Sequence, residues 1–172
     1  MKKQPRAMPA LGMAPEVAQD DFRLEDFLPY QLSVAANRVS RLLSRHYTAY
    51  GLTIPEWRVL ATIGRFGTLS PTAVCDWTAM DKVKVSRAAA GLAARGLIRQ
   101  LADPNDGRGR LLRMTRKGKT VHQDVVPQAR ALEATLAEGL GRGRWVALSK
   151  ALVRLNAHVQ GIEGPDRGKA VD

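Results

Sequence analysis

A chain of 172 residues, 45% hydrophobic and 25% charged, is long enough for one buried core and too apolar to be disordered throughout. Its formal net charge of +11 points to an anionic partner, nucleic acid ahead of an acidic membrane surface. A single cysteine and three scattered histidines exclude a disulfide framework and offer no metal-ligand spacing, so neither a metal nor a cofactor is expected.

Residues 1–21 are rich in Pro, Met and Ala without a period and read as a flexible arm. Prolines interrupt that segment, so it lacks a signal-peptide core, and no apolar run approaches the ~20 residues needed to cross a bilayer. A cytoplasmic protein that does not engage a membrane is expected. An amphipathic helix fits Pro29 to Tyr50, with Leu32, Ala35, Val39, Leu42, Leu43 and His46 on one face, and Gly51 ends it. Thr53 is placed to cap a second helix running to Phe66, with Pro55 and Glu56 in its first turn and Gly67 as its stop. Ser70-Pro71 opens a third, short helix whose Val74, Cys75 and Trp77 are expected to pack. Asp81 caps the fourth, Lys82 to Arg95, closed by Gly96.

Leu97 to Met114 reads as two strands around a Gly/Pro/Asn/Asp loop, a hairpin signal. Two further helical patterns follow, about Lys119 to Leu140 and Gly143 to Gln160, with Pro127 expected to kink the first. The order predicts a mainly α fold with a small β-hairpin wing: a winged helix-turn-helix between flanking helices.

Charge is concentrated in this unit. Residues 82 to 119 hold eleven Lys or Arg against two Asp. In the fourth helix Val85, Ala89 and Leu92 form a stripe to bury, while Lys82, Lys84, Ser86 and Arg87 cluster at the end that enters a major groove. Lys84, Ser86 and Arg87 are expected to read bases there. A solvated cationic face is the plainer explanation of a charge run, weakened here because the acidic partners of a salt-bridged surface are missing. In the hairpin loop Asp106 is expected to hold the wing by pairing with Arg108, leaving Arg108 or Arg110 to enter a minor groove.

These segments, in this order, resemble the MarR family of bacterial transcription regulators. The resemblance spans about Leu24 to Gln160 and rests on four pieces. They are Gly51-Leu-Thr-Ile-Pro-Glu-Trp-Arg-Val-Leu60, Met80-Asp-Lys-Val-Lys-Val-Ser-Arg87, Arg95-Gly-Leu-Ile-Arg99, and Asp106-Gly-Arg108 followed by Met114-Thr-Arg-Lys-Gly118. The family's acidic-x-Arg wing signature falls on Asp106 and Arg108. The resemblance implies a homodimer with entwined terminal helices, two winged units on a palindrome of double-stranded DNA, and release by a small molecule or an oxidant. On that reading 22–50 and 119–160 form a helical dimerisation region, 51–118 the winged DNA-binding region, and 161–172 a flexible tail. Val121, Val125, Val126, Leu132, Leu136, Leu140, Trp145, Leu148, Leu152 and Leu155 supply more apolar surface than the wing unit needs, which supports dimerisation independently.

Leu28-Pro-Tyr-Gln-Leu-Ser-Val and Thr78 to Arg87 are similar to the branch controlling hydroxycinnamate and related aromatic catabolism. That likeness implies an aromatic acid or its coenzyme A thioester as effector. Arg38, Arg41, Arg45 and His46 on the first helix, with Trp57 and Arg58 on the second, are candidates to bind it; a solvated face for the arginines and core packing for Trp57 and His46 are the alternatives. Two other regulators remain open, a redox-responsive one using Cys75 and a nonspecific architectural DNA-binding protein. Cys75 sits beside Val74 and Trp77, which predicts a buried, inert thiol. No nucleophile elbow, phosphate-binding loop or His-Glu-x-x-His is present, so an enzyme is not expected. Single-strand binding would want aromatic platforms, and residues 82 to 119 contain no Phe, Tyr or Trp.

Overall fold

Side-chain caps open four of the α-helices, those beginning at Ile54, Pro71, Lys82 and Arg116, in the computed structural model. It describes residues 22–104 and 106–164, the side chains of Gly107 and Arg108 excepted. The arm expected over 1–21 and the tail beyond 164 lie outside the described residues.

The chain divides into two units, Met1–Arg38 and Val39–Asp172. In the first, a 3-10 turn over Leu24–Asp26 leads into helix α1 (Leu28–Tyr47), which continues into the second unit. Phe22 and Phe27 meet edge to face at 5.3 Å, and the Gln31 amide donates to the Glu25 carbonyl at 2.7 Å.

In the second unit α1 closes at Tyr47 and a 3-10 turn spans Thr48–Tyr50, so the α-helix stops three residues short of the expected Tyr50. The cause is Gly51, whose φ of 68° is left-handed and lets the Leu52 N–H reach the Tyr47 carbonyl at 3.2 Å. The Tyr47 side chain is buried and stacks on Trp57 at 5.5 Å.

Helix α2 (Ile54–Phe66) begins with a complete capping box: Glu56 N–H donates to Thr53 Oγ1, and Thr53 N–H donates to Glu56 Oε2. Ser70 caps α3 (Pro71–Thr78), Asp81 caps α4 (Lys82–Ala94), and Gly96 follows in a left-handed conformation. Strands β1 (Ile98–Asp103) and β2 (Asp106–Met114) pair antiparallel, and Leu69 adds a short bridge to Leu112. Helix α5 spans Arg116–Leu140 and runs on through Pro127; α6 spans Arg142–Glu163, past the expected end at Gln160. The three-residue advance at the start of α5 comes from Thr115, whose hydroxyl accepts from the Gly118 N–H at 3.1 Å.

The core gathers Val59, Leu60 and Ile63 of α2, Val74 of α3, Val85 and Leu92 of α4, Ile98, Leu112 and Met114 of the hairpin, and Val125 of α5. Val125 is fully buried and Val121 and Val126 pack beside it, so these three belong to the chain's own core and are not surplus surface for a second subunit. Trp77 also departs from expectation. It is 58% exposed and stacks on Phe66 at 4.3 Å, with the Arg65 guanidinium 4.7 Å above the Phe66 ring. Ring stacking and a cation–π contact shelter its apolar face without a place in the core.

Candidate nucleic-acid interface

Helix α4 turns one face inward and one outward. Val85, Ala88, Ala89 and Leu92 are buried; Lys82, Val83, Lys84, Ser86, Arg87 and Ala90 are exposed. Ala88 joins the packed stripe expected of Val85, Ala89 and Leu92. The Asp81 carboxylate accepts from the Lys84 N–H at 2.7 Å, a bond that holds its pKa below the ordinary value. Its other oxygen pairs with the Lys84 ammonium at 2.9 Å, so the expectation that the basic cluster lacks an acidic partner is corrected at Lys84. Both side chains are more than half exposed, and a pair of that kind adds little stability.

The hairpin register runs from Ile98↔Met114 to Ala102↔Arg110 and then jumps to Asp103↔Asp106, which leaves Gly107, Arg108 and Gly109 as a bulge on β2. At Gly109 a Cβ would come within 3.1 Å of Asp106 and 2.9 Å of Asp103, so a close approach explains the glycine. Arg110 is exposed on β2 beside the bulge. Arg108 belongs to β2, but its side chain lies outside the described residues. Farther down the ladder Arg99 and Arg113, both exposed, stand directly opposite one another. Like charges in that position repel, an arrangement that favours an anion nearby.

An ion pair holds the end of α4 against α2. The Glu56 carboxylate caps α2 and forms an ion pair with Arg95 beyond the end of α4; Arg95 also donates to the carbonyls of Gly51 and Gly91. Burial alone would raise the Glu56 pKa, yet bonds from the Thr53 N–H and hydroxyl and the Arg95 guanidinium outweigh it and hold the carboxyl below its ordinary value. Sequence reading saw the cap but missed the clamp, because Glu56 and Arg95 come together only through the packing of α2 on α4. At the base of the wing the Leu97 carbonyl accepts from the Thr115 N–H at 3.0 Å and the Gly96 carbonyl accepts from the Thr115 hydroxyl at 2.7 Å, which ties the entry of β1 to the start of α5.

Each of the six residues proposed for an effector has its own surroundings. Arg38 is exposed in the first unit; Arg41, Arg45 and Arg58 are exposed in the second, where Arg58 donates to Ser40 at 3.5 Å. His46 bonds Gln128 at 3.2 Å. Trp57 is buried between Tyr47 and His122, whose ring centroid lies 5.9 Å away. A cleft of about 470 Å³ opens elsewhere, lined by Ile63 and Gly64 of α2, Arg113 and Met114 of β2, and Lys119 and His122 of α5. None of the six lines it. A Cβ on Gly64 would collide with the His122 ring, so the glycine lets the imidazole lie against α2. Burial lowers the His122 pKa and favours the neutral ring. These cleft residues come from three elements far apart in sequence and share no motif that could have signalled them.

Cys75 is half-buried against the core, and burial, followed by the Asp76 carboxylate, pushes its thiol up. Among the described residues no group of His, Cys, Asp and Glu is arranged to hold a metal, and no helix is long and apolar enough to cross a membrane.

A buried-face helix in a helix-turn-helix, followed by a basic two-stranded wing, defines a winged-helix DNA-binding protein. The MarR family model matches residues 50–109. The multiple antibiotic resistance protein MarR of Salmonella typhimurium is 27% identical over 112 residues, 58% of this chain and 78% of that protein. The HTH-type transcriptional repressor IacR of Pseudomonas putida is 28% identical over 101 residues, 59% of this chain and 60% of that one. Among solved structures, a MarR-family regulator from Silicibacter pomeroyi superposes with a TM-score of 0.68 at 26% identity, covering 84% of this chain and 97% of that one. Bordetella bronchiseptica BpsR, whose DNA binding is regulated by 6-hydroxynicotinic acid, shares the fold with a TM-score of 0.72 at 24% identity, over 78% of this chain and 96% of its own. Residues 50–109 thus match the MarR family model, and the chain is similar in sequence and fold to winged-helix transcriptional regulators of that family.

Proposed function

We propose that the protein is a homodimeric repressor that grips a palindromic operator with two winged units and lets go when a small aromatic acid, free or as its coenzyme A thioester, binds. The observation that carries this reading is the outward face of α4, where Lys82, Lys84, Ser86 and Arg87 are exposed opposite a fully packed stripe, with Arg110 exposed on the wing of the same unit. Ser86 and Arg87 reach base edges in the major groove, Lys82 and Lys84 reach phosphates, and Arg108 and Arg110 serve the minor groove with Asp106 shaping the bulge. In support of a dimer, Trp145, Leu148, Leu152, Leu155, Val159 and Ile162 recur along α6 at alternating spacings of three and four, a coiled-coil seam in which the last five are at least 40% exposed. A two-fold axis then sets the reading helices about 34 Å apart.

For the effector, the cleft beside the wing is a better seat than the α1–α2 surface. Arg113, Lys119 and His122 line it with no carboxylate among its lining residues, over a floor that includes Ile63 and Met114. Its 470 Å³ accommodates a single-ring acid, and a thioester would seat its acyl part there. BpsR, alike in fold, answers to an acid of that size class. The redox alternative is disfavoured by the raised pKa of Cys75, since a sensor thiol needs a lowered one.

Mobility shift with the intergenic DNA flanking its own gene, repeated with a panel of aromatic acids and their thioesters, tests the whole reading. A specific complex dissolved by one compound is the expected result; no specific complex at moderate salt would refute it. Two substitutions give sharper expectations. Arg87→Ala relaxes sequence preference at a cost of about 1–3 kcal/mol, whereas Arg110→Ala weakens all sequences and flattens the salt slope by about one unit. Operator affinity of either variant equal to wild type across a salt series removes that residue from the interface.

Effector binding also carries a pH signature. The His122 pKa is lowered in the free protein, and an anion beside it favours the imidazolium, so binding takes up a proton. Affinity for the carboxylate is therefore expected to rise as pH falls from about 8 to 6, towards and below the ordinary histidine value of about 6.5. Titration calorimetry in two buffers of different ionisation enthalpy reads the proton uptake, and His122→Gln abolishes it.

A further inference from the structure

Val83 occupies the most outward position on the reading helix. The buried stripe of α4 comprises Val85, Ala88, Ala89 and Leu92. At about 100° per residue, the direction opposite the centre of that stripe runs through Val83, with Ala90 and Ala94 about two and three turns beyond along the same line. Ser86 lies to one side of the line and Arg87 to the other. Lys82 and Lys84 stand about a quarter turn away on either flank, where phosphates lie when such a helix sits in a groove. All of these side chains are exposed, Val83 at 57%.

A lone exposed valine is ordinary on a protein surface. This one sits among Lys82, Ser86 and Arg87 in the first turn of the helix, where a β-branched residue is a weak helix former and a long polar one would suit solvent better. No core residue lies on its side of the helix. The alanines beyond it keep the ridge low, so that Val83 is the apolar point the helix offers first. In a major groove the sole methyl presented by the four base pairs is the C5-methyl of thymine.

We infer that Val83 is a base-reading residue that selects for a thymine methyl in each operator half-site, an inference that rests on the DNA-reading role proposed above for α4. Arg87 follows Val83 by one helical turn, about 6 Å along the axis, so the guanine it can hold bidentately lies within about two base pairs of that thymine. Ser86 accepts or donates to either neighbour. The half-site is thus specified by one apolar and one guanidinium contact, with the lysines indifferent to sequence.

The test begins with selection of a high-affinity duplex from a randomised library by the wild-type dimer. Each thymine of the half-site is then replaced, symmetrically, by deoxyuridine, which removes the methyl and leaves every hydrogen-bonding group. One position is expected to lose about tenfold in affinity, from roughly one buried methyl per half-site. In Val83→Ala the same replacement is expected to change affinity by less than about twofold, while the thermal midpoint of this exposed-site variant stays at the wild-type value. Val83→Thr, which keeps one methyl, falls between. Equal affinity for thymine and deoxyuridine at every position, or an undiminished loss in Val83→Ala, overturns the inference and leaves the regulator intact. Failure of the wild type to select any sequence overturns the DNA-reading role and the inference together.

Discussion

Gly118→Ala is expected to lose about 3 kcal/mol of folding stability, the upper end of what overpacking a core position costs. Gly118 is buried in the first turn of α5. A Cβ there would fall inside contact distance of the Leu97 carbonyl oxygen and 2.8 Å from Met114 Cγ. Met114 has rotamers to spare, but the carbonyl does not. It accepts from the Thr115 N–H, so its retreat breaks the backbone bond that seats α5 on the hairpin. Helix propensity alone would favour alanine by about 1 kcal/mol, which makes the sign of the result decisive. Urea unfolding at fixed protein concentration measures it; a midpoint at or above wild type would show that the strand end can move.

The double substitution Leu152→Asp with Leu155→Asp is expected to yield a folded monomer that has lost specific DNA binding by a factor of about a hundred or more. Both leucines are at least 40% exposed and lie at the middle of the α6 seam, away from the core cluster of α2 to α5. Charges there leave the intrachain core intact but cannot be buried against a second copy. A single winged unit retains the nonspecific electrostatic attraction, with typical dissociation constants of about 10⁻⁴ to 10⁻⁶ M, and loses the paired half-site contacts. Sedimentation and operator titration are read together. A dimer that survives both aspartates would move the interface elsewhere.

Local chemistry was legible residue by residue. Thr53, Ser70 and Asp81 are caps whose side chains each accept from the N–H three residues on, and Gly51 and Gly96 adopt the left-handed conformation that ends a helix. The hairpin and the stripe of α4 follow from periodicity. Distant packing was not legible. Val121, Val125 and Val126 look the same in sequence whether they meet α2 of the same chain or a second subunit. Trp77 reads as core by its type, and its shelter under Arg65 depends on where Phe66 emerges from α2. The cleft assembles Gly64, Arg113 and His122 across 58 residues, while the six residues expected to bind an effector share a helical face or a neighbourhood in sequence and do not line it. For the DNA interface the exposed cationic residues were visible at once. Val83 is not legible in this way, because an apolar residue in a helical pattern reads as core until the buried stripe is placed.

The bridge between Leu69 and Leu112 has a mechanical consequence. Each residue's N–H donates to the other's carbonyl, at 3.1 and 2.7 Å, one residue before the cap of α3 and two residues before the end of β2. The wing is thereby stitched to the helix-turn-helix and cannot swing on its own hinge. A ligand that unseats the protein from DNA must reorient the whole reading head as one piece, and in hydrogen–deuterium exchange the Leu69 and Leu112 amides should stay protected alongside those of α4, with or without effector.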